Sequence, residues 1–204
     1  MSVFDLAMKG GPIMIVLFVL SIISIYIIIE RLLKLYRVKK QDDNLIKELE
    51  DSISASDTER VEQICSMMLS NPLAKIIYST IESTKENSSG TKDFISSYVE
   101  VQVAYLEKNL GFLSTLSAIS PLIGFLGTVT GMIKVFMKIQ QTGGGVDITL
   151  LAGGIWEALI TTVAGLIVGI TSLIFYNILI DKTSSIATQM TKFAQDFLMQ
   201  RKDI

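Results

Sequence analysis

The sequence predicts an all-α membrane protein with three transmembrane helices, the second and third extended into a cytoplasmic helical bundle. Three observations carry this. Uncharged runs of about 20, 25 and 33 residues lie between Lys9 and Glu30, Lys108 and Lys134, and Asp147 and Asp181, the last broken only by Glu157. Each reaches the roughly 18–20 residues that cross a hydrocarbon core, and none has the polar face of a soluble helix. The second and third runs also carry small and hydroxyl residues at helical spacing, the pattern of helices that pack closely inside a bilayer. Finally, no segment shows a strand pattern of weight, and no internal repeat is present.

Taken in order, residues 1–11 read as a short external amphipathic segment, with Val3, Phe4, Leu6 and Ala7 set against Asp5 and Lys9. Gly10-Gly11-Pro12 breaks it, and Pro12 suits a first helical turn. Residues 12–30 form the first span. It is too long for a signal-peptide core, and Glu30-Arg31 follows it where a cleavage site needs small residues, so it reads as a retained anchor. Arg31, Lys34, Arg37, Lys39 and Lys40 come next, whereas only Lys9 precedes the span. The positive-inside rule places the N-terminus outside and the following block in the cytoplasm.

That cytoplasmic block, 31–109, is helical in pieces. Leu45, Ile46 and Leu49 form one face, then Val61, Ile64 and Met68. Asn71-Pro72 is a break, and Ile76, Ile77 and Ile81 begin again. Residues 85–90 are a polar turn, and the pattern from Thr91 runs into the second span without a stop. The second span is 110–139, an external loop 140–149, the third span 150–180 and a cytoplasmic helical tail 181–204. The third uncharged run would make a helix of roughly 50 Å against a core of about 30 Å, so it projects into the cytoplasm. Lys134 and Lys138 lie towards the outer end of the second span, where long lysines snorkel. Trp156 reads as an interface anchor. Pro121 reads as a kink that frees a backbone carbonyl.

Composition removes several classes of chemistry. There is no histidine, so the commonest catalytic base and zinc ligand are missing. Cys65 is the single cysteine, which leaves no disulfide framework and no cysteine cluster. The formal charge of −2 argues for no nucleic-acid partner. No cofactor, metal or enzymatic bond-making is expected.

On the second span Ser117, Ser120, Gly124, Thr128 and Gly131 step by three or four and fall within about 40° of one line. Ala158, Thr162, Gly165, Gly169 and Ser172 do the same on the third. With the loop centred near Gly145, an antiparallel hairpin sets Thr128 level with Thr162 and Gly124 level with Gly165. Gly124, Gly131, Gly165 and Gly169 are expected to pack the helices. The two threonines either pack as well, bonding back to their own helices, or line a path for protons or water. Glu157 sits at the edge of the stripe, about 100° from Ala158. It is either a structural acid bonded to a neighbouring helix or a titratable group on a proton route or partner interface. Lys134 is placed near it across the hairpin, and that pair would hold the acid ionised.

Two motifs resemble a known family. They are Ser120-Pro121-Leu122-Ile123-Gly124-Phe125-Leu126-Gly127-Thr128-Val129-Thr130-Gly131-Met132-Ile133 and Gly154-Ile155-Trp156-Glu157-Ala158-Leu159-Ile160-Thr161-Thr162-Val163-Ala164-Gly165-Leu166. Together with Glu30-Arg31 and the three-span outline, they resemble the MotA/TolQ/ExbB proton-channel family over essentially the whole chain. The length and the short external loop are similar to ExbB and TolQ rather than to flagellar MotA with its four spans. The resemblance implies a homopentamer in the bacterial inner membrane, N-terminus periplasmic and C-terminus cytoplasmic, around the transmembrane helices of a dimeric ExbD/TolR-like partner that carries an aspartate. Proton flow past that aspartate would turn the pentamer about the partner. The work would pass through a TonB/TolA-like protein to TonB-dependent outer-membrane transport, or to the Tol-Pal system. By the same resemblance Thr128 and Thr162 are pore-lining and Glu157 is the intramembrane glutamate. Lys134, and Thr130 where the family often has tryptophan, depart from the commoner pattern. A secondary transporter is a competing class, but the inverted repeats and interrupted helices it usually shows are not seen. A non-conducting scaffold is the other.

Overall fold

The computed structural model describes residues 11–54, 57–85, 91–141 and 148–202. All the structure among them is helical: α1 (Gly11–Ser54), α2 (Thr58–Met67), α3 (Pro72–Lys85), α4 (Thr91–Leu106), α5 (Leu110–Gln141) and α6 (Ile148–Lys202). Helices α1, α5 and α6 are each long and apolar enough to cross a membrane. The amphipathic segment expected at 1–10, the turn at 86–90 and the loop centre at 142–147 lie outside the described residues.

Buried positions on α1 are Leu17, Ser24, Ile28, Arg31, Leu35, Val38, Asp42, Leu45, Leu49 and Ser52, with Ile27 beside them. They recur at alternating steps of three and four, the seam spacing of packed helices. On α6 the same spacing runs through Ala158, Thr161, Gly165, Gly169, Ser172, Leu179, Thr183, Ile186, Met190, Ala194 and Phe197. With 44 and 55 residues, these helices measure about 66 and 82 Å at 1.5 Å per residue, more than twice a hydrocarbon core of about 30 Å.

The chain divides into two compact units. The first holds residues up to Ile29 and Asn109–Ile178. Its outward side chains are apolar, among them Phe18, Leu122, Phe125, Val163 and Ile167, each more than half exposed. Its buried positions include Leu17, Ile27, Ile28, Leu110, Leu113, Leu116 and Val135, but between α5 and α6 they are mostly small or hydroxylic: Ser120, Gly124, Gly127 and Gly131 on α5, and Ala158, Thr161 and Ser172 on α6. The small stripe suits a lipid solvent, because apolar side chains gain little by leaving lipid and close backbone packing holds the helices instead. Ser24 of α1 joins Ser172 of α6 by a buried hydroxyl–hydroxyl bond of 2.7 Å.

The second unit comprises Glu30–Lys108 and the chain from Leu179 onward. Its core is conventional, with Leu45, Leu49, Val61, Leu73, Ile76, Ile77, Ile81, Ile95 and Phe197 buried. Asp57 caps α2 by accepting from the Arg60 amide at 3.0 Å. Asn71 caps α3 by accepting from the Ala74 amide at 2.9 Å, and its Nδ2 donates to the buried Asp42 carboxylate at 2.7 Å. Cys65 is fully buried, and burial pushes its thiol from an ordinary 9.0 up to about 12.

One expectation changes. The helix from Thr91 does stop: α4 ends at Leu106, and Asn109 adopts φ 67° before α5 begins. Asparagine is among the few non-glycine residues that enter this left-handed region. Its carbonyl then accepts from the Leu113 amide at 3.2 Å and starts the next helix. The buried Arg31 donates to the freed Leu106 carbonyl at 3.4 Å and to Glu30 at 3.0 Å. Lys34 lies 3.5 Å over the Tyr105 ring.

Candidate functional site

The stripes of α5 and α6 face each other in the register expected from the sequence. A Cβ on Gly124 would lie 2.7 Å from the Thr161 carbonyl oxygen and 3.1 Å from the Gly165 Cα. One on Gly165 would lie 2.5 Å from the Ser120 carbonyl oxygen and 2.9 Å from the Gly124 Cα. Gly131 meets Ala158 in the same way, at 2.9 Å from its Cβ. Gly169 faces Pro121 and the Ser117 carbonyl, at 2.9 Å from that oxygen. Pro121 has no N–H for that carbonyl, and glycine leaves room beside it.

Close approach brings five oxygens together. Thr128 Oγ1 donates to the Ala158 carbonyl at 3.2 Å and pairs with Thr162 Oγ1. Thr162 Oγ1 donates to the Gly124 carbonyl at 3.1 Å. Thr161 Oγ1 donates to the Ala158 carbonyl at 2.7 Å and reaches the Gly124 carbonyl at 3.3 Å. These contacts close a ring of three hydroxyls and two carbonyls. Three hydroxyl protons serve five contacts, so in any one arrangement two contacts lack a proton of their own. Rotation of a hydroxyl passes its proton to another link, because each can donate once and accept twice. Neither hydroxyls nor carbonyls titrate near neutral pH, so the ring can hydrate or hand on a proton but cannot hold the charge.

A family profile described as the MotA/TolQ/ExbB proton channel family matches residues 61–192. The chain belongs to this family. Among its relatives, a putative biopolymer transport protein ExbB-like 1 from Synechocystis is 29% identical over 192 residues, covering 93% of this chain and 74% of that protein. Biopolymer transport protein ExbB from Neisseria meningitidis serogroup A is 28% identical, covering 96% of both chains. That from Salmonella typhimurium is 36% identical over 124 residues, which is 58% of this chain and 50% of that protein. As a member of the MotA/TolQ/ExbB family with three long apolar helices, the protein is a multi-pass membrane protein.

Within the family-matched region Glu157 stands apart from the oxygen ring. Its Oε1 is 3.8 Å from Lys134 Nζ, and both side chains are open, at 37% and 62% exposed. The same oxygen lies against Gly11, where a Cβ would come within 3.0 Å. Trp156 is 47% exposed beside it. Thr130 bonds back to the Leu126 carbonyl of its own helix at 2.9 Å.

Sequence reasoning missed several contributors. Thr161, 2% exposed, belongs to the ring along with the Gly124 and Ala158 carbonyls. Gly127 is buried against the Thr161 side chain. The hydroxyls of Ser21 and Ser24 in an apolar run were the available signal for the α1–α6 bond, which Ser24 makes. The Gly127–Thr161 contact had none, because it depends on the rotation of each helix rather than on spacing alone.

Proposed function

We propose that this chain is the proton-conducting subunit of an ExbB/TolQ-type motor in the bacterial inner membrane, and that it makes and breaks no covalent bonds. The observation that carries this is the ring of Thr128, Thr161 and Thr162 hydroxyls with the Gly124 and Ala158 carbonyls, held between two membrane-spanning helices. Thr128 and Thr162 line the route, with Glu157 near its outer end. The ring carries no titratable group, so the charge-holding acid comes from a second protein. An ExbD/TolR-like single-span dimer, enclosed by a homopentamer of this chain, would supply it. Five copies of the ring would hydrate that acid and let it load and release a proton as the subunits turn. The relatives named as biopolymer transport proteins favour a TonB-linked load. The alternative load is the Tol-Pal system through a TolA-like protein.

Proton flux into liposomes tests this, with and without the ExbD-like partner. Gradient-driven flux is expected only with the partner. Thr162→Val keeps the side-chain shape but removes a donor from the ring. It is expected to cut flux at least tenfold, the scale for losing a positioned proton-transfer group, while assembly on size exclusion is unchanged. Full flux in Thr162→Val removes the ring from the route, and no flux from an assembled wild-type complex favours a non-conducting scaffold.

A further inference from the structure

In the described part of the first unit only three side chains carry charge: Lys134 and Lys138 on α5 and Glu157 on α6. Glu157 is the single carboxylate among them. It lies 3.8 Å from the Lys134 ammonium, and the same Oε1 faces Gly11 at the start of α1, where an added Cβ would come within 3.0 Å. A helix start is the positive end of its backbone dipole, so the carboxylate has positive neighbours on two sides. A group that ferries protons must give up its charge in each cycle. Doing so here would leave the Lys134 ammonium without its counter-ion beside the outer end of the proton route.

We propose that Glu157 is the fixed counter-ion of Lys134, a positioning residue that cancels the lysine's field at the end of the proton route, and not the group that carries the proton. This rests on the conducting reading above. Removing the acid exposes a cation that repels incoming protons, and removing the lysine as well abolishes the need for the acid. A ferrying role predicts the opposite, since no change at position 134 restores a lost carrier.

The experiment is a charge cycle in liposomes holding the complex with its partner: wild type, Glu157→Gln, Lys134→Gln and the double variant, each checked for assembly. Glu157→Gln is expected to lower flux roughly tenfold or more, the scale on which local charge changes the arrival of ions. Lys134→Gln keeps flux, and the double variant recovers most of what Glu157→Gln lost. A double variant as inactive as Glu157→Gln overturns the proposal, as does full flux in Glu157→Gln alone. The unfolding midpoints of the four proteins give a second readout independent of conduction. Glu157→Gln lowers the midpoint and Lys134→Gln partly restores it; strictly additive shifts overturn the pair even if wild type conducts nothing. Failure of wild-type flux with the coupling intact instead counts against the conducting reading alone.

Discussion

Gly165 has no room for a methyl group. A Cβ there would fall 2.5 Å from the Ser120 carbonyl oxygen and 2.9 Å from the Gly124 Cα, both backbone atoms that cannot swing aside. Gly165→Ala therefore forces α5 and α6 apart, at a cost of about 1–3 kcal/mol by the usual measure of overpacking. A thermal melt followed through Trp156, the single tryptophan, reads that loss. An unchanged melting temperature would refute the close approach. Separation also stretches the bonds from Thr161 and Thr162 to the Gly124 carbonyl, so flux falls along with stability. Much of this was legible in the residues themselves: Gly124 opposite Gly165 and Thr128 opposite Thr162 follow from counting outward from the loop. What counting misses is azimuth. Thr161 and Thr162 are adjacent, and both reach across to the same carbonyl, because a helix pair this close presents a face wider than one line of residues.

At the scale of elements, α1 shows why a membrane helix hides its packing face. Nearly every residue from Ile13 to Ile29 is apolar, so hydrophobic contrast cannot mark which side is buried. Polarity marks it instead: Ser24, Arg31 and Asp42 lie on the buried seam, while Phe18, Ile22, Ile25 and Ile29 face outward. The helices of the second unit follow the ordinary rule: Ile76, Ile77 and Ile81 are buried as expected, while of the face Val61, Ile64 and Met68 only Val61 is buried and Cys65 completes it. The stop after α4 was illegible because its carrier, Asn109, sits in an otherwise continuous pattern. Asn71, read from the sequence only as a break, joins two elements. It caps α3 and donates to the buried Asp42 of α1. Asn71→Ala removes both bonds and strands a carboxylate that is 2% exposed. The expected loss is about 2–4 kcal/mol, from a cap near 1 and a buried charged-group bond of 1.5–3. Asn71→Asp keeps the cap but sets a second carboxylate against the first, so it fails to rescue. Chemical unfolding of the purified protein ranks the three. Equal stability of Asn71→Ala and wild type would mean that Asp42 is satisfied elsewhere.

For the whole molecule, charge placement predicts an orientation in the membrane. Five basic residues lie between Arg31 and Lys40 and none between Pro12 and Ile29, a bias from which the segment after the first span is expected on the cytoplasmic side. Lys134 and Lys138 pull the other way. They are two against the five that follow the first span, and long lysines near a helix end snorkel to the interface. The expected orientation takes the first span from outside to inside, brings Gln140 out and returns Lys192 inside. Single-cysteine reporters test this directly, because the native thiol is silent. Cys65 is fully buried and its thiol is pushed up to about 12, so at neutral pH it offers almost no thiolate to a maleimide. Gln140 and Lys192 are both exposed, so their replacements react wherever reagent reaches them. In right-side-out vesicles a membrane-impermeant maleimide should label Gln140→Cys at once and Lys192→Cys only after permeabilisation. Labelling of Lys192→Cys in sealed vesicles reverses the topology. On the proposed conducting reading it would also set the Lys134–Glu157 pair at the inner rather than the outer end of the route, where protons leave instead of enter.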